Sequence, residues 1–202
     1  MAQNVFEILL KNPLSSELKK KLQAAEYVKK DNEEFLLCQP SNLPAVTKFL
    51  HENAQTYRII GSPNALVVMF EFFRGTMGWP EKTSKGLARI IPVDDDNLFV
   101  DSSVSGIDNG DWQLNIHEYG DLSSGVESTG NVFLKLGNVN VKDGKGTWTG
   151  NVKAKTWELV GKAMCLTKGK DSVCGILARS AGAFENKKRV CACSGRTIWE
   201  EE

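Results

Sequence analysis

The hydrophobic pattern of residues 1–61 predicts a small unit in which strands and helices alternate. Its predicted strands are apolar runs bounded by turn residues: Val5–Leu10, Tyr27–Lys30, Glu34–Cys38 and Gln55–Ile60. Two helices are predicted between them, one capped by Ser15 or Ser16 and carrying Leu18, Leu22 and Ala25, the other opened by Asn42 and carrying Val46, Phe49 and Leu50. The resulting order, βαββαβ, predicts a ferredoxin-like α+β domain.

From Asn64 onward the pattern changes to short apolar runs separated by glycine, aspartate and asparagine. The predicted strands of this part are Ala65–Phe73, Gly86–Val93, Leu98–Ser105, Trp112–His117, Gly146–Val152, Leu159–Leu166 and Val173–Ala178. Regular short strands with turn signals between them are typical of an all-β sandwich or barrel. The sequence therefore predicts two folded units, an α+β unit followed by an all-β unit.

Composition and charge argue against two classes of partner. Apolar residues make up 41% of the 202 residues, and 25 basic side chains balance 25 acidic ones. A net charge of zero does not favour a nucleic acid or an anionic membrane surface as the main partner. We also expect no membrane span, because the longest apolar stretch is far shorter than the ~20 residues that a transmembrane helix needs. Met1–Leu10 lacks the pattern of a secretory signal.

The cysteines and histidines restrict the chemistry further. An odd number of cysteines at low density favours a reducing compartment over a disulfide framework; they are Cys38, Cys165, Cys174, Cys191 and Cys193. Cys38, Cys165 and Cys174 fall in apolar runs, where a buried and unreactive thiol is the expected state. His51 and His117 are too few to build a zinc or copper site from histidine.

Several segments resemble one protein family. Asn115–Asp121 (Asn-Ile-His-Glu-Tyr-Gly-Asp) resembles the His-x-His-Glu-Phe-Gly-Asp segment of Cu,Zn superoxide dismutase. Cys174–Gly182 and Cys191–Glu201 (Cys-Ala-Cys-Ser-Gly-Arg-Thr-Ile-Trp-Glu-Glu) are similar to the copper chaperones of that enzyme and not to the enzyme itself. Gly125–Gly130 and Thr156–Gly161 look like the fungal branch of that family.

This resemblance covers most of residues 64–202 and implies three parts. They are a ferredoxin-like, heavy-metal-associated-like domain at 1–61, an all-β Greek-key barrel of Cu,Zn superoxide dismutase type at 64–184, and a short flexible tail with Cys-x-Cys at 185–202. The first part departs from the family, whose copper-binding domains carry Met-x-Cys-x-x-Cys after the first strand. This chain has Leu14–Lys19 at that place, and hydroxyl and ammonium groups do not hold Cu(I). We therefore expect a structural role for this domain.

The barrel departs from the enzyme. Of the four copper-binding histidines that the resemblance implies, only His117 remains, with Asn115, Val132 and Thr167 at the other places. No histidine for zinc occurs in residues 134–150, and Val126 replaces a cysteine of the enzyme's internal disulfide. Superoxide dismutase activity and bound zinc are therefore not expected, and His117 is interpreted as a buried or rim histidine of the fold.

The resemblance also implies a docking surface. Dismutase subunits pair through an isologous apolar patch, and a look-alike that keeps this patch can dock beside an immature enzyme chain. The residues carried over are Tyr119, Gly120, Gly161, Lys162, Ile176, Ala178 and Arg179. The same patch also offers a homodimer. A planar guanidinium at Arg179 would suit a partner carboxylate or main-chain carbonyls.

The tail carries the sharpest chemical feature. Cys191 and Cys193 can supply two soft thiolates to Cu(I) if the backbone turns between them. Nearby positive charge favours the thiolate; it comes from Lys187, Lys188, Arg189 and Arg196. A disulfide between such close cysteines would be strained and easily passed to another thiol. Trp199 is expected to dock the end of the tail onto this protein or onto its partner.

The sequence thus predicts a copper chaperone that forms a heterodimer with immature Cu,Zn superoxide dismutase, delivers transiently bound Cu(I) and promotes the target's disulfide through Cys191 and Cys193. Two alternatives stay open: a copper-independent thiol-disulfide oxidoreductase for the same target, and a module that stabilises it by docking alone. Whether the tail works as an enzyme, by sulfhydryl oxidation or disulfide transfer, is left undecided. The expected location is the cytoplasm, with the mitochondrial intermembrane space as a second.

Overall fold

The computed structural model describes residues 5–62, 64–74, 84–182, 184–185, 189 and 197–200. Within this part of the chain, most of the regular structure is β-sheet, and the α-helices are few and short. The strands form two sheets, a four-stranded one near the N-terminus and a nine-stranded one built from the rest.

The N-terminal unit alternates strands and helices as its hydrophobic pattern predicts. Its elements are β1 (Phe6–Leu10), α1 (Ser16–Lys21), β2 (Glu26–Lys30), β3 (Glu33–Cys38), α2 (Leu43–Glu52) and β4 (Tyr57–Gly61). The sheet has the order β2-β3-β1-β4, and every neighbouring pair is antiparallel. Asp31 and Asn32, which join β2 to β3, both have positive φ angles of 51° and 65°. Such angles are typical of a tight hairpin turn.

Alternate residues of the N-terminal sheet point to opposite faces, as strand geometry requires. On one face, Ile8 and Leu10 of β1 pack in a cluster with Val46 and Leu50 of α2. On the other face, Leu9 belongs to a second cluster with Phe35 of β3 and Ile60 of β4. The sheet is therefore apolar on both faces, although the core formed with the helices accounts for only one of them.

The first helix is shorter than predicted. Ser15 is its N-cap, because the Ser15 hydroxyl accepts a hydrogen bond of 3.2 Å from the Leu18 amide, and the helix ends at Lys21. Ala25 lies outside it, so placing Ala25 on the helix was wrong. Since β2 begins at Glu26, residues 23–25 are needed for the turn into the next strand.

The second unit contains nine strands in a single sheet. They are β5 (Leu66–Arg74), β6 (Ser84–Pro92), β7 (Asn97–Ser105), β8 (Gly110–His117), β9 (Val132–Val141), β10 (Lys145–Lys153), β11 (Ala163–Lys168), β12 (Asp171–Ile176) and β13 (Ala178–Arg179). A short helix, α3 (Thr156–Leu159), connects β10 to β11. The strand order is β10-β7-β6-β5-β12-β11-β8-β9, and β13 pairs with β5.

The two ends of this sheet meet. Strands β9 and β10, last and first in the order, are consecutive in the chain and are joined by a turn closed by a bridge between Lys142 and Lys145. A Cβ atom on Gly137 of β9 would lie 2.6 Å from the indole nitrogen of Trp148 on β10, so glycine is needed for the two strands to pack. The sheet therefore curls around an apolar core centred on Trp112, which is completely buried.

The two units share apolar contacts. Ala65, Ile91 and Phe99 of the second unit are buried in the same cluster as Tyr57 and Leu43 of the first. Burying apolar surface between them favours a fixed arrangement of the two sheets.

Two features of the second unit were not predicted. Strand β9 was missed, and Leu159, placed in a strand from its pattern, ends α3 and is buried in the core. A two-residue connection, Gly169 and Lys170, joins β11 to β12. Among the described residues, no helix has the length and apolar character needed to span a membrane.

Candidate functional site

The first candidate site is the place where the family's copper cysteines would lie. Here Ser15 caps helix α1, and Lys19 carries its charge over the ring of Tyr27, with 3.8 Å between the ammonium nitrogen and the ring centroid. Cys38, the single cysteine of this unit, is buried in the helix-side core, and burial raises the pKa of its thiol to about 12. Cu(I) needs accessible thiolates, so neither the Ser15 and Lys19 side chains nor the buried Cys38 thiol suits it.

His117, at the end of β8, is held by hydrogen bonds and is almost fully buried. Its Nδ1 atom lies 2.9 Å from the Thr129 hydroxyl and 3.2 Å from the Gly130 carbonyl oxygen. The Thr129 hydroxyl donates its own hydrogen to the Val126 carbonyl at 2.6 Å. Because both neighbours of Nδ1 are then acceptors, Nδ1 carries a proton and donates to them. These contacts account for Nδ1, whereas Nε2 is buried with no hydrogen-bond partner among the described residues.

The positions implied for other copper ligands do not complete a metal site. Asn115 is buried on β8 and Val132 is exposed at the start of β9. Thr167 pairs with Gln113 of β8 and Ser172 of β12. Within the described ranges, no three His, Cys, Asp or Glu side chains come close enough to hold a metal ion.

The two cysteines of the nine-stranded sheet are close in space but buried. Cys165 of β11 lies directly opposite Cys174 of β12, and both side chains are completely buried beside Leu122 and Val126. The hydrogen bond to Cys174, together with burial, raises the pKa of the Cys165 thiol far above its ordinary value. Both cysteines are free thiols in this structure, as expected for inert residues of the core.

Five of the seven predicted docking residues lie together at one end of the nine-stranded sheet. The Tyr119 carbonyl accepts a hydrogen bond from the Ala163 amide at 3.2 Å, which brings the loop after β8 beside the start of β11. The Gly161 amide donates to the Leu177 carbonyl at 2.8 Å, and the Leu177 amide donates to the Lys162 carbonyl at 2.9 Å. We call this set the docking patch; it consists of Tyr119, Gly120, Gly161, Lys162 and Ile176.

The docking patch exposes apolar side chains on a backbone that is pinned in place. Tyr119 is 60% exposed and Ile176 is 45% exposed. The Lys162 ammonium donates to the Glu118 carbonyl at 3.1 Å and lies 4.2 Å from the centroid of the Phe133 ring. Large exposed apolar groups on a rigid support are common at protein–protein interfaces.

Ala178 and Arg179 lie on β13, which pairs with Val67 and Leu66 of β5. Both are exposed. Arg179 lines a hollow of about 260 Å³ together with the acidic side chains of Asp94 and Asp95. The role of Arg179 toward a partner stays a prediction.

The tail is described only in part. Cys191 and Cys193 lie outside the described residues, as do Lys187, Lys188 and Arg196. Arg189 is described, and it binds the Glu33 carboxylate through Nε at 2.9 Å and 3.1 Å and through Nη2 at 2.9 Å. Its charge is therefore directed at Glu33 of the N-terminal unit, an arrangement that the sequence did not predict.

Trp199 docks onto this protein's own N-terminal unit. Ile198 and Trp199 pack against the cluster of Leu9, Phe35 and Ile60, and the Arg58 guanidinium lies 5.7 Å from the centroid of the Trp199 ring. The expectation that Trp199 anchors the tail on one of the two proteins is thus realised within the chain.

Comparisons with known proteins identify relatives. The chain is 37% identical over 166 residues to the superoxide dismutase 1 copper chaperone of Saccharomyces cerevisiae, with 70% of this chain and 67% of that protein covered. It is 34% identical over 155 residues to the protein of the same name from Candida glabrata, with 70% and 65% covered. The human copper chaperone for superoxide dismutase is 29% identical over 157 residues, with 59% and 57% covered.

These alignments set limits as well. The chain spans about two thirds or less of the length of these curated relatives. No family model matches the chain. A solved structure of the clock protein EA4 aligns with 58% of this chain and 97% of its own, at 18% identity and a TM-score of 0.46, which does not establish a common fold. The sequence relationship to the yeast protein, in contrast, is close and extensive, and the chain belongs to the family of superoxide dismutase copper chaperones.

Proposed function

We propose that this protein docks onto immature Cu,Zn superoxide dismutase through its barrel, delivers Cu(I) from Cys191 and Cys193, and promotes formation of the target's disulfide. Family membership supports superoxide dismutase as the partner and copper as the cargo. The observation that carries the docking step is the exposed apolar surface of Tyr119 and Ile176 at the docking patch.

The docking patch suits a heterodimer that mimics a dismutase dimer. An isologous interface needs a self-complementary apolar surface, and a barrel without its own metal chemistry can present one without competing for copper. Since the backbone around Gly161 and Leu177 is fixed by main-chain hydrogen bonds, little ordering is needed on binding. The same surface would also allow two copies of this chain to pair when the target is absent.

Copper is cargo in this proposal. Two thiolates one residue apart suit Cu(I), which prefers soft ligands at low coordination number. The remaining cysteines are unsuited, because Cys38, Cys165 and Cys174 are buried. Zinc is not part of the proposal, since the described residues offer no cluster of ligands for it.

The disulfide step transfers an existing bond. A thiolate of the target attacks a Cys191–Cys193 disulfide, forms a mixed disulfide and releases one tail thiolate. The second target thiolate then attacks the mixed disulfide, so the target is oxidised and both tail cysteines are left reduced. Each further cycle needs an oxidant such as dioxygen to restore the tail disulfide.

The fold assignment is part of the same proposal. We assign residues 1–61 to a ferredoxin-like domain, 64–184 to a Greek-key barrel of superoxide dismutase type, and 185–202 to the tail. Support comes from the antiparallel order β2-β3-β1-β4 in the first sheet and from the curled nine-stranded sheet in the second. We place the protein in the cytoplasm, with the mitochondrial intermembrane space as a second location.

The test mixes the full chain with metal-free, disulfide-reduced Cu,Zn superoxide dismutase, with and without Cu(I) and oxygen. We expect a one-to-one complex, transfer of copper and an oxidised target. The variant with both Cys191→Ser and Cys193→Ser should still form the complex but transfer neither copper nor a disulfide. Cys38→Ser is the matched control, because Cys38 is buried in the N-terminal core.

The alternatives give different results in the same mixture. Oxidation of the target by a wild-type chain that neither binds nor transfers Cu(I) would indicate a copper-independent oxidoreductase. Full activation by the double serine variant would leave docking alone as the function. Failure to detect a complex with the wild-type chain at micromolar concentrations would overturn the proposal.

A further inference from the structure

The second face of the N-terminal sheet is covered, although none of the described helices packs on it. Leu9 is 1% exposed, Phe35 is 6% exposed and Ile60 is 1% exposed. These three side chains point away from the helices, so in a two-layer α/β unit they would face solvent. Among the described residues, the cluster that buries them includes Ile198 and Trp199 from the far end of the chain.

Polar contacts hold the C-terminal segment at the same face. Arg189 makes a bidentate ion pair, through Nε and Nη2, with Glu33 at the start of β3. The Arg58 side chain of β4 donates from Nε to the Ile198 carbonyl at 3.3 Å. The Ile198 amide donates to the Arg189 carbonyl at 3.0 Å, so both points of attachment are also joined to each other. Earlier in the chain, the Phe184 amide donates to the Glu7 carboxylate at 3.0 Å.

We propose that the N-terminal unit is a holder for the C-terminal segment: the sheet face of Leu9, Phe35 and Ile60 binds Ile198 and Trp199 and thereby restrains the reactivity of the cysteine pair. The attachments at Arg189 and Ile198 lie on either side of Cys191 and Cys193 in the chain. The inference rests on the proposed function, because restraining Cys191 and Cys193 matters only if these cysteines act on a partner. It gives a role to a domain that lacks copper cysteines.

The apolar contact should carry most of this attachment. The Arg189 and Glu33 side chains are 30% and 34% exposed, and partly exposed ion pairs stabilise an attachment only weakly. Covering three apolar side chains with an isoleucine and a tryptophan removes more surface from water than the ion pair does. Trp199 is therefore the informative position, and Glu33 should have a smaller effect.

The test measures how fast the native, copper-free and fully reduced chain reacts with the thiol reagent 5,5′-dithiobis(2-nitrobenzoate). Cys38, Cys165 and Cys174 are buried and give the slow background, so Cys191 and Cys193 give the fast phase. We expect Trp199→Ala to raise the rate of the fast phase by about tenfold and Glu33→Gln by about threefold, as the fraction of open molecules rises. Trp199→Phe should restore a rate near that of the wild type.

Matched controls come from the second unit. Trp157 is exposed and lies beside Lys155, with 5.1 Å from the ammonium to the ring centroid, and Asp96 forms a surface ion pair of 3.4 Å with the same lysine. Trp157→Ala and Asp96→Asn should leave the fast phase unchanged. Slow reaction of the three buried thiols in every variant shows that the fold is intact.

Equal rates for Trp199→Ala and Trp157→Ala would overturn the inference. The experiment needs neither copper nor superoxide dismutase, so its failure is distinguishable from failure of the proposed function. If the chain did not bind dismutase but Trp199→Ala still raised the rate of the fast phase, restraint of the tail by the N-terminal unit would be supported. The assignment of dismutase as the partner would then be wrong.

Discussion

Gly120 packs directly on the backbone of Gly161: a Cβ atom placed on Gly120 would lie 2.0 Å from the Gly161 carbonyl oxygen. The nearest side chain is that of Ile176, whose Cγ2 atom would lie 3.3 Å from the added Cβ atom. Two segments of the docking patch, distant in the chain, are thus in contact through a position that admits no side chain. The contact fixes the position of the exposed Tyr119 side chain relative to the exposed Ile176 side chain.

Gly120→Ala should therefore separate the two segments and deform the docking patch. The obstacle is backbone, which cannot swing away, so we expect a loss of about 1–3 kcal/mol in the free energy of unfolding. Binding to metal-free dismutase should weaken by at least about tenfold. Urea unfolding and a binding titration would measure the two effects.

The control for that variant is Gly169→Ala. Gly169 lies at the turn between β11 and β12 with a φ of +61°, and a Cβ atom added there would meet no other atom within 4 Å. The variant should lose about 1 kcal/mol through backbone strain and keep its affinity for dismutase. Equal affinities for the two alanine variants would contradict the role assigned to the Gly120–Gly161 contact.

Ile176→Asp should abolish docking without unfolding the second unit. The side chain is 45% exposed, so a carboxylate there remains solvated in the free protein but would be desolvated in an apolar interface. We expect the free energy of unfolding of the variant to lie within about 1 kcal/mol of the wild type. Thr149→Asp, which adds the same charge at an exposed position of β10, should bind like the wild type. Size-exclusion chromatography with dismutase would separate these outcomes.

His117→Asn should be tolerated better than His117→Ala. The asparagine amide can replace the Nδ1–H group as donor toward Thr129 and Gly130, whereas alanine leaves both acceptors unsatisfied and opens a cavity. We expect His117→Ala to be less stable than His117→Asn by about 1–3 kcal/mol. Copper bound per molecule should be equal in both variants and the wild type. A loss of copper in either variant would show that His117 is a ligand.

The fold was predictable from the sequence where local signals and burial agree. Strands β2 and β3 were predicted because turn residues bound their apolar runs; Asp31 and Asn32 between them are residue types that tolerate the positive φ angles found there. Strand β9 was missed, although Leu134 and Leu136 alternate toward the core. Its register with β8 shifts twice, between Leu114 and Asn115 and again between Ile116 and His117, so the simple two-residue period is broken.

The candidate site was predictable to a different extent. Five of the docking residues that the resemblance implies are neighbours in the structure, because residues near Tyr119, Gly161 and Ile176 are joined by main-chain hydrogen bonds, and their role in docking stays a prediction. The attachment of Arg189 to Glu33 joins residues 156 positions apart and has no local signal. An apolar second face on the N-terminal sheet, at Leu9, Phe35 and Ile60, was the available hint, since such a face needs a cover.

The burial of Cys38 predicts a specific loss of stability at high pH. Burial raises the pKa of this thiol from 9.0 to about 12, so between these values the unfolded chain has released the proton while the folded protein keeps it. The unfolded state then binds fewer protons, and the free energy of unfolding falls as the pH rises, by up to about 1.4 kcal/mol per pH unit for this one group. Below pH 9 the thiol is protonated in both states and the effect vanishes.

Cys38→Ala should be less stable than the wild type by a constant offset at neutral pH, but its free energy of unfolding should lack this part of the pH dependence. Other raised groups, such as Cys165 and Tyr57, are the same in both proteins and cancel in the comparison. Urea unfolding in reductant at several pH values would measure it, and parallel pH profiles for wild type and variant would show that Cys38 ionises equally easily in both states.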